Sequence, residues 1–160
     1  MKNIIYGFVA FIFVTMFACG NDQTNLKYKD LLEYGIPIEI LAPDSVTVFS
    51  SDMGIQKDVS LKGEDGYEIQ LFYSDAFRNQ KDAVSDLKEV IQANPYFKEI
   101  LEESENGFIY SNQLDSTLVN YGFRYLIVKA GKEFIVQPGM LGIYTLDEVK
   151  KLYDIAEKIK

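Results

Sequence analysis

Residues 122–136, GFRYLIVKAGKEFIV, carry the pattern that decides the fold of this chain. Two apolar runs, 126–128 and 134–136, lie on either side of Ala130 and Gly131, and this spacing is typical of a tight β-hairpin. Both runs are apolar at every position, whereas a strand with one face in water alternates between apolar and polar residues. We therefore predict two neighbouring antiparallel strands in a sheet that is covered on both faces.

Five other stretches of the sequence also have the composition of strands. The sequences IPIEIL at 36–41, DVSLKG at 58–63 and YEIQLFYS at 67–74 place apolar residues at every second position. VTVFS at 46–50 and FIYSNQL at 108–114 are short runs rich in β-branched and aromatic residues. The turn sequences APDS at 42–45 and GEDG at 63–66 lie between the early strands, which are therefore predicted to form an antiparallel meander.

Two parts of the chain have the spacing of an amphipathic helix. The first, at 79–104, is predicted as a broken helix, since Asn94 and Pro95 suit the start of a second segment and Gly107 suits its end. The closing helix at 145–160 begins with a capping box formed by Thr145 and Glu148. The apolar stripe of the first helix is Val84, Leu87, Val90 and Ile91, and that of the closing helix is Val149, Leu152, Tyr153, Ala156 and Ile159.

These elements together predict an α+β fold, with an antiparallel sheet of about six or seven strands and helices on both faces. Their order resembles that of the PsbP-like family over residues 35–160, through the opening YGIPIEILAP at 34–43, the central hairpin and the closing helix. The resemblance implies an α/β/α sandwich. In PsbP the known task involves the photosynthetic manganese–calcium centre and assembly with membrane proteins. No metal residue can be carried over, because this chain contains no histidine.

An apolar run at 4–18, IIYGFVAFIFVTMFA, precedes the only cysteine of the chain, Cys19. As a helix its 15 residues would be about 22 Å long, which is shorter than the roughly 30 Å of a bilayer core. Lys2, the short apolar run and the small Ala18 resemble a bacterial lipoprotein signal, which implies cleavage before Cys19 and acylation of its thiol. The alternative is a plain signal peptide or an amino-terminal anchor with an incidental cysteine.

The lipoprotein interpretation predicts three segments and a location. They are a signal peptide at 1–18, the lipidated cysteine with a tether at 19–34, and a single domain at 35–160. The protein is then expected in the bacterial cell envelope, attached to the bilayer through acylated Cys19. Gly20, in place of an acidic residue after the cysteine, favours the outer membrane.

Composition argues against several classes of function. The chain has 24 acidic and 16 basic residues among 160, a net charge of −8 that repels phosphate backbones, so we expect no nucleic-acid partner. Without histidine, and with its one thiol acylated, the chain has no Ser-His-Asp triad, no Cys-His pair and no histidine-bearing zinc site. We therefore expect no cofactor, no metal and no catalytic residue.

Two hypotheses of function remain. The first is a non-enzymatic lipoprotein that binds or assembles other envelope proteins, with Tyr121, Tyr125 and Tyr144 as its interaction surface. Those tyrosines could instead pack the sheet against the helices. The second hypothesis is a small-ligand binder or a carboxylate-based enzyme with a pocket on the sheet, for which Glu39 and Asp58 are an imaginable acid–base pair.

Overall fold

A seven-stranded antiparallel sheet lies at the centre of the structure, for which a computed structural model describes residues 26–160. Its strands stand in the order β3-β4-β5-β9-β8-β7-β6, while β1 and β2 form a separate two-stranded sheet. The predicted α+β class and the antiparallel sheet are therefore confirmed. The strands are β1 Leu26–Asp30, β2 Glu39–Pro43, β3 Thr47–Asp52, β4 Gln56–Lys62, β5 Glu68–Asp75, β6 Phe97–Glu103, β7 Gly107–Gln113, β8 Val119–Lys129 and β9 Lys132–Pro138, and the helices are α1 Gln80–Gln92 and α2 Leu146–Ala156.

The hairpin of β8 and β9 occupies the middle of the sheet, as predicted. Lys129 and Lys132 are the last register pair, and the two residues between them, Ala130 and Gly131, have φ angles of 51° and 73°. Positive φ at both central positions is the geometry of a type I′ turn, which matches the twist of the two strands. Since β9 also pairs with β5, this hairpin connects the early meander to the late strands.

Two apolar clusters form on the sheet, and alternate residues of β8 belong to different clusters. Phe123 and Tyr125 pack with α2 and with the sheet formed by β1 and β2. Leu126 packs with α1 in the second cluster. Because neighbouring residues of a strand point to opposite faces, the two clusters lie on opposite faces of the sheet. We call these the α2 face and the α1 face.

The predicted second segment of the broken helix is wrong, because the chain forms strand β6 there. The Asn94 side chain accepts a hydrogen bond from the Tyr96 N–H at 2.9 Å, and its carbonyl accepts one from the Phe97 N–H at 2.9 Å. The chain therefore turns after α1 and pairs along β7, whose edge would otherwise be open. Gly107 likewise begins a strand, β7, instead of ending a helix.

Two smaller predictions also need correction. Val90 lies off the buried stripe of α1 and is 68 % exposed, whereas Ala83 is fully buried there. The predicted tether at 19–34 extends too far, because β1 pairs with β2 along its whole length and Leu31 is fully buried. The predictions for residues 1–25, including Cys19, lie outside the described residues. Neither helix of the described part is long and apolar enough to span a bilayer.

Candidate functional site

The α1 face is covered by its helix only in part, and an open cleft of about 410 Å³ lies on the remainder. Helix α1 packs over β6, β7 and β8, towards the end of the sheet that carries the central hairpin. The cleft lies nearer the opposite end, where the connection from β9 to α2 forms one wall. Its lining residues are Phe72, Tyr110, Asn112, Asn120, Tyr121, Arg124, Gln137, Pro138, Gly139, Met140, Gly142 and Tyr144.

Arg124 is the one charged residue of this lining. It lies on β8 between Phe123 and Tyr125, both of which are buried on the α2 face, so its side chain points to the α1 face. The guanidinium carbon is 5.7 Å from the centre of the Tyr110 ring, and Nη1 donates a hydrogen bond to the carbonyl of Phe123 at 2.9 Å. The Tyr110 ring itself lies against Gly122, where a Cβ atom would come within 2.7 Å of the ring.

No carboxylate within the described residues 26–160 forms an ion pair with Arg124. The other arginine of the chain, Arg78, differs in this respect because it pairs with Asp86 and lies 3.7 Å from Glu133. Burial lowers the pKa of Arg124, and the neighbouring Tyr110 opposes part of this effect. A guanidinium keeps its charge even so. A chain of net charge −8 therefore places a single unpaired cation in a cleft that no acidic side chain lines.

A chain of hydrogen bonds crosses the sheet towards the cleft. Gln137 Nε2 donates to Gln70 Oε1 at 2.9 Å, and Gln70 Nε2 donates to Asp58 Oδ2 at 2.8 Å. An ionised carboxylate can only accept, so Asp58 dictates the direction of both amides. Gln70 must turn its NH₂ group to Asp58 and its oxygen to Gln137. The Nε2 of Gln137 is then used within the chain, and its Oε1 remains for the cleft.

All three predicted tyrosines pack with the α2-face cluster, and Tyr121 and Tyr144 also border the cleft. The Tyr125 ring lies 5.8 Å from that of Tyr153. Tyr144 is only 7 % exposed, and burial, followed by the charge of Glu68, raises its pKa to about 12. An exposed surface made by all three tyrosines is therefore wrong. The packing role therefore holds for Tyr125 and Tyr144, and Tyr121 is half-buried against the same cluster.

The connection from β9 to α2 is held against the sheet by backbone contacts. The Tyr144 N–H donates to Asn120 Oδ1 at 2.8 Å, and the Tyr121 N–H donates to the carbonyl of Tyr144 at 3.1 Å. The Tyr144 hydroxyl reaches back to the carbonyl of Gly139 at 3.2 Å. Between these fixed points Met140 and Leu141 are 71 % and 96 % exposed. The connection thus forms a cleft wall whose outer surface is apolar.

Glu39 and Asp58 do not come together. The strand of Glu39, β2, packs in the α2-face cluster, whereas the Asp58 carboxylate bonds Gln70 on the α1 face. Within residues 26–160, no group of three side chains that commonly bind metals is assembled. The structure therefore offers the carboxylate hypothesis no acid–base pair at these positions.

Arg124 and Gln137 were missed by the sequence predictions, although the sequence contains a signal for one of them. Arg124 is a charged residue inside the apolar run YGFRYLIV, where a structural strand would favour an apolar residue on either face. Gln137 carries no comparable signal, since a polar residue next to the last position of a strand is typical of an exposed one. Only the register of β5 and β9, which pairs Gln70 with Gln137, reveals the hydrogen-bond chain.

A scan against protein-family models finds no match for this chain, and a search of curated proteins likewise finds none.

Proposed function

We propose that this protein is a lipid-anchored, non-enzymatic binding module of the bacterial cell envelope and that it binds its partner in the cleft on the α1 face. The observation that carries the proposal is the unpaired Arg124 in a concave site lined by aromatic and amide side chains. A charged group kept half-buried without an anionic partner is costly for folding alone, and an anionic ligand that pairs with it compensates that cost.

The chemistry of the lining favours binding over catalysis. Its polar side chains are the guanidinium of Arg124, tyrosine hydroxyls and the amides of Asn112, Asn120 and Gln137. These groups form hydrogen bonds, but they include no carboxylate, amine or thiol that would work as a base or nucleophile near neutral pH. The volume of about 410 Å³ lies in the range of sites for small molecules and for the ends of peptides.

The proposed anchor would keep the cleft close to the membrane. Six residues, 20–25, separate Cys19 from the first strand residue, Leu26. A chain of that length reaches at most about 25 Å when fully extended. A partner reached through the cleft is then itself attached to the membrane or close to its surface.

The anchor is tested by Cys19→Ser in cells grown with a labelled fatty acid. We expect the wild-type chain to be shortened and labelled, and the variant to remain an unlabelled precursor, because serine offers no thiol for acylation. A variant that is cut and labelled like the wild type would show that Cys19 is not the lipidation site.

The binding site is tested by photocrosslinking in cells, with a photoreactive amino acid at Met140, which lines the cleft and is exposed. A matched control carries it at Asp154, an exposed residue of α2 on the opposite face. We expect discrete crosslinked products from position 140 that disappear when Arg124→Gln is added, and none from position 154. Equal products from both positions, or products that persist without Arg124, would contradict the cleft as the binding site.

A further inference from the structure

Arg124 and Gln137 are neighbours across two central strands of the sheet. The register pair of β8 and β9 furthest from the hairpin turn is Tyr125 with Val136, and Arg124 and Gln137 each lie one residue beyond it. Their side chains therefore leave the same face, and both line the cleft. The positively charged guanidinium of Arg124, which has several N–H donors, thus lies beside the amide oxygen of Gln137. Asp58 and Gln70 fix the orientation of that amide.

We propose, on the basis of the proposed function, that this pair recognises a carboxylate together with a neighbouring amide N–H, which is the chemistry of a peptide C-terminus. The planar guanidinium of Arg124 takes the carboxylate with paired hydrogen bonds, and Gln137 Oε1 accepts the N–H of the last peptide unit. The aromatic rings of Phe72 and Tyr110 in the same cleft contact the apolar part of the final residues.

The charge of the site selects a carboxylate over a phosphate. Arg124 is the only cation of the lining, so it balances one negative charge, whereas a phosphate group carries up to two at neutral pH. The cleft contains no lysine and belongs to a chain with net charge −8, which disfavours ligands with several negative charges.

The chain is suited to a direct test because it contains only two arginines. The full-length protein in detergent micelles, labelled with ¹⁵N in arginine alone, gives two side-chain Nε–H signals in an NMR spectrum. The signal of Arg78, which is ion-paired with Asp86 near the start of α1, is an internal control. The probe is acetyl-leucyl-phenylalanine with a free C-terminus, and the comparison probe is the same compound with a C-terminal amide.

We expect the free acid to shift the Arg124 signal in a saturable manner, to leave Arg78 unchanged, and to bind at least tenfold more tightly than the amide. Inorganic phosphate at the same concentration should not reproduce the shift. A response to the amide equal to that to the acid, no response to the acid, or a response to phosphate would overturn the proposal. Because these measurements use the unaltered protein, they do not depend on the folding of a variant.

The role of Gln137 is tested with 3-phenylpropanoate, which has a carboxylate and an aromatic ring but no amide N–H. The wild type should prefer the acetylated dipeptide, and Gln137→Met should reduce that preference by roughly threefold to tenfold. An unchanged preference would remove Gln137 from the recognition. Arg124→Gln should abolish binding of both acids, whereas the matched variant Arg78→Gln should leave it intact.

Competition separates a free peptide from the C-terminus of a protein partner. The acetylated dipeptide, added in excess during photocrosslinking from Met140, should reduce the yield of crosslinked protein. If the dipeptide binds Arg124 without affecting the yield, the ligand is a free acid and the protein C-terminus is refuted. If the dipeptide does not bind but the Arg124-dependent crosslinks form, the ligand class fails while the binding function in the cleft stands.

Discussion

Replacing Phe134 by alanine tests whether the central hairpin holds the domain together. Phe134 is 3 % exposed and lies in β9, where it pairs with Tyr73 of β5 on one side and Ile127 of β8 on the other. Its ring centre is 5.0 Å from that of Tyr73, so the substitution removes this contact and leaves a cavity between α2 and the sheet. Buried Phe-to-Ala substitutions cost about 3–5 kcal/mol of unfolding free energy.

That loss is large compared with the stability of a domain, which is about 5–15 kcal/mol in total. For a domain of this size we expect a melting temperature roughly 10–20 °C lower than that of the wild type. The assay is thermal and urea unfolding of the full chain in detergent, followed by circular dichroism, with the urea dependence checked to be equal in both proteins. Ile127→Ala should cost less, about 2 kcal/mol, because Ile127 is only half-buried.

The matched control is Val90→Ala, which also shortens an apolar side chain but at a position that is 68 % exposed. Its unfolding free energy should differ from that of the wild type by no more than about 0.5 kcal/mol. If Phe134→Ala were as mild as Val90→Ala, β9 could not be a covered central strand. The reasoning about the two faces of the sheet would then be refuted.

Three further predictions concern the cleft and the termini of its elements. Gly122→Ala should lower the unfolding free energy by about 1–3 kcal/mol, because the new methyl group meets the Tyr110 ring. In the double variant with Tyr110→Ala this clash is removed, so its loss of unfolding free energy should be smaller than the sum of the two single losses. Burial raises the folded pKa of Tyr144 to about 12, so this tyrosine deprotonates first in the unfolded chain and the wild type loses stability between about pH 10 and 12. Tyr144→Phe should reduce that loss. An unchanged dependence of unfolding free energy on pH in this range would contradict this. The Thr145 N–H lowers the folded pKa of Glu148, so the wild type loses this stabilisation when Glu148 is protonated below about pH 4.5. Glu148→Gln should therefore lose less unfolding free energy than the wild type as the pH falls through this range. An equal dependence of unfolding free energy on pH in both proteins would contradict this.

Local patterns were sufficient for elements that are stabilised by their own residues. The turn at Ala130 and Gly131 and the capping box of Thr145 with Glu148 both form as predicted, since each is a short-range interaction encoded within four residues. The α+β class followed from the same evidence, because period and turn chemistry limit the choice of fold. The sequence also supports a lipidation hypothesis at Cys19, which depends on a motif and not on tertiary contacts.

Tertiary structure decided which secondary structure formed wherever local preference and long-range strand pairing disagreed. Residues 94–104 have a helical start signal at Asn94, but the open edge of β7 provides backbone hydrogen bonds that only a strand can use, and β6 forms. The cleft depends on the same kind of information. Arg124 and Gln137 are 13 positions apart in the chain, and register alone brings them together beside Gln70, which is 67 positions from Gln137. Composition and periodicity describe neighbours along the chain, so they predicted the sheet but could not predict which polar side chains would meet on it.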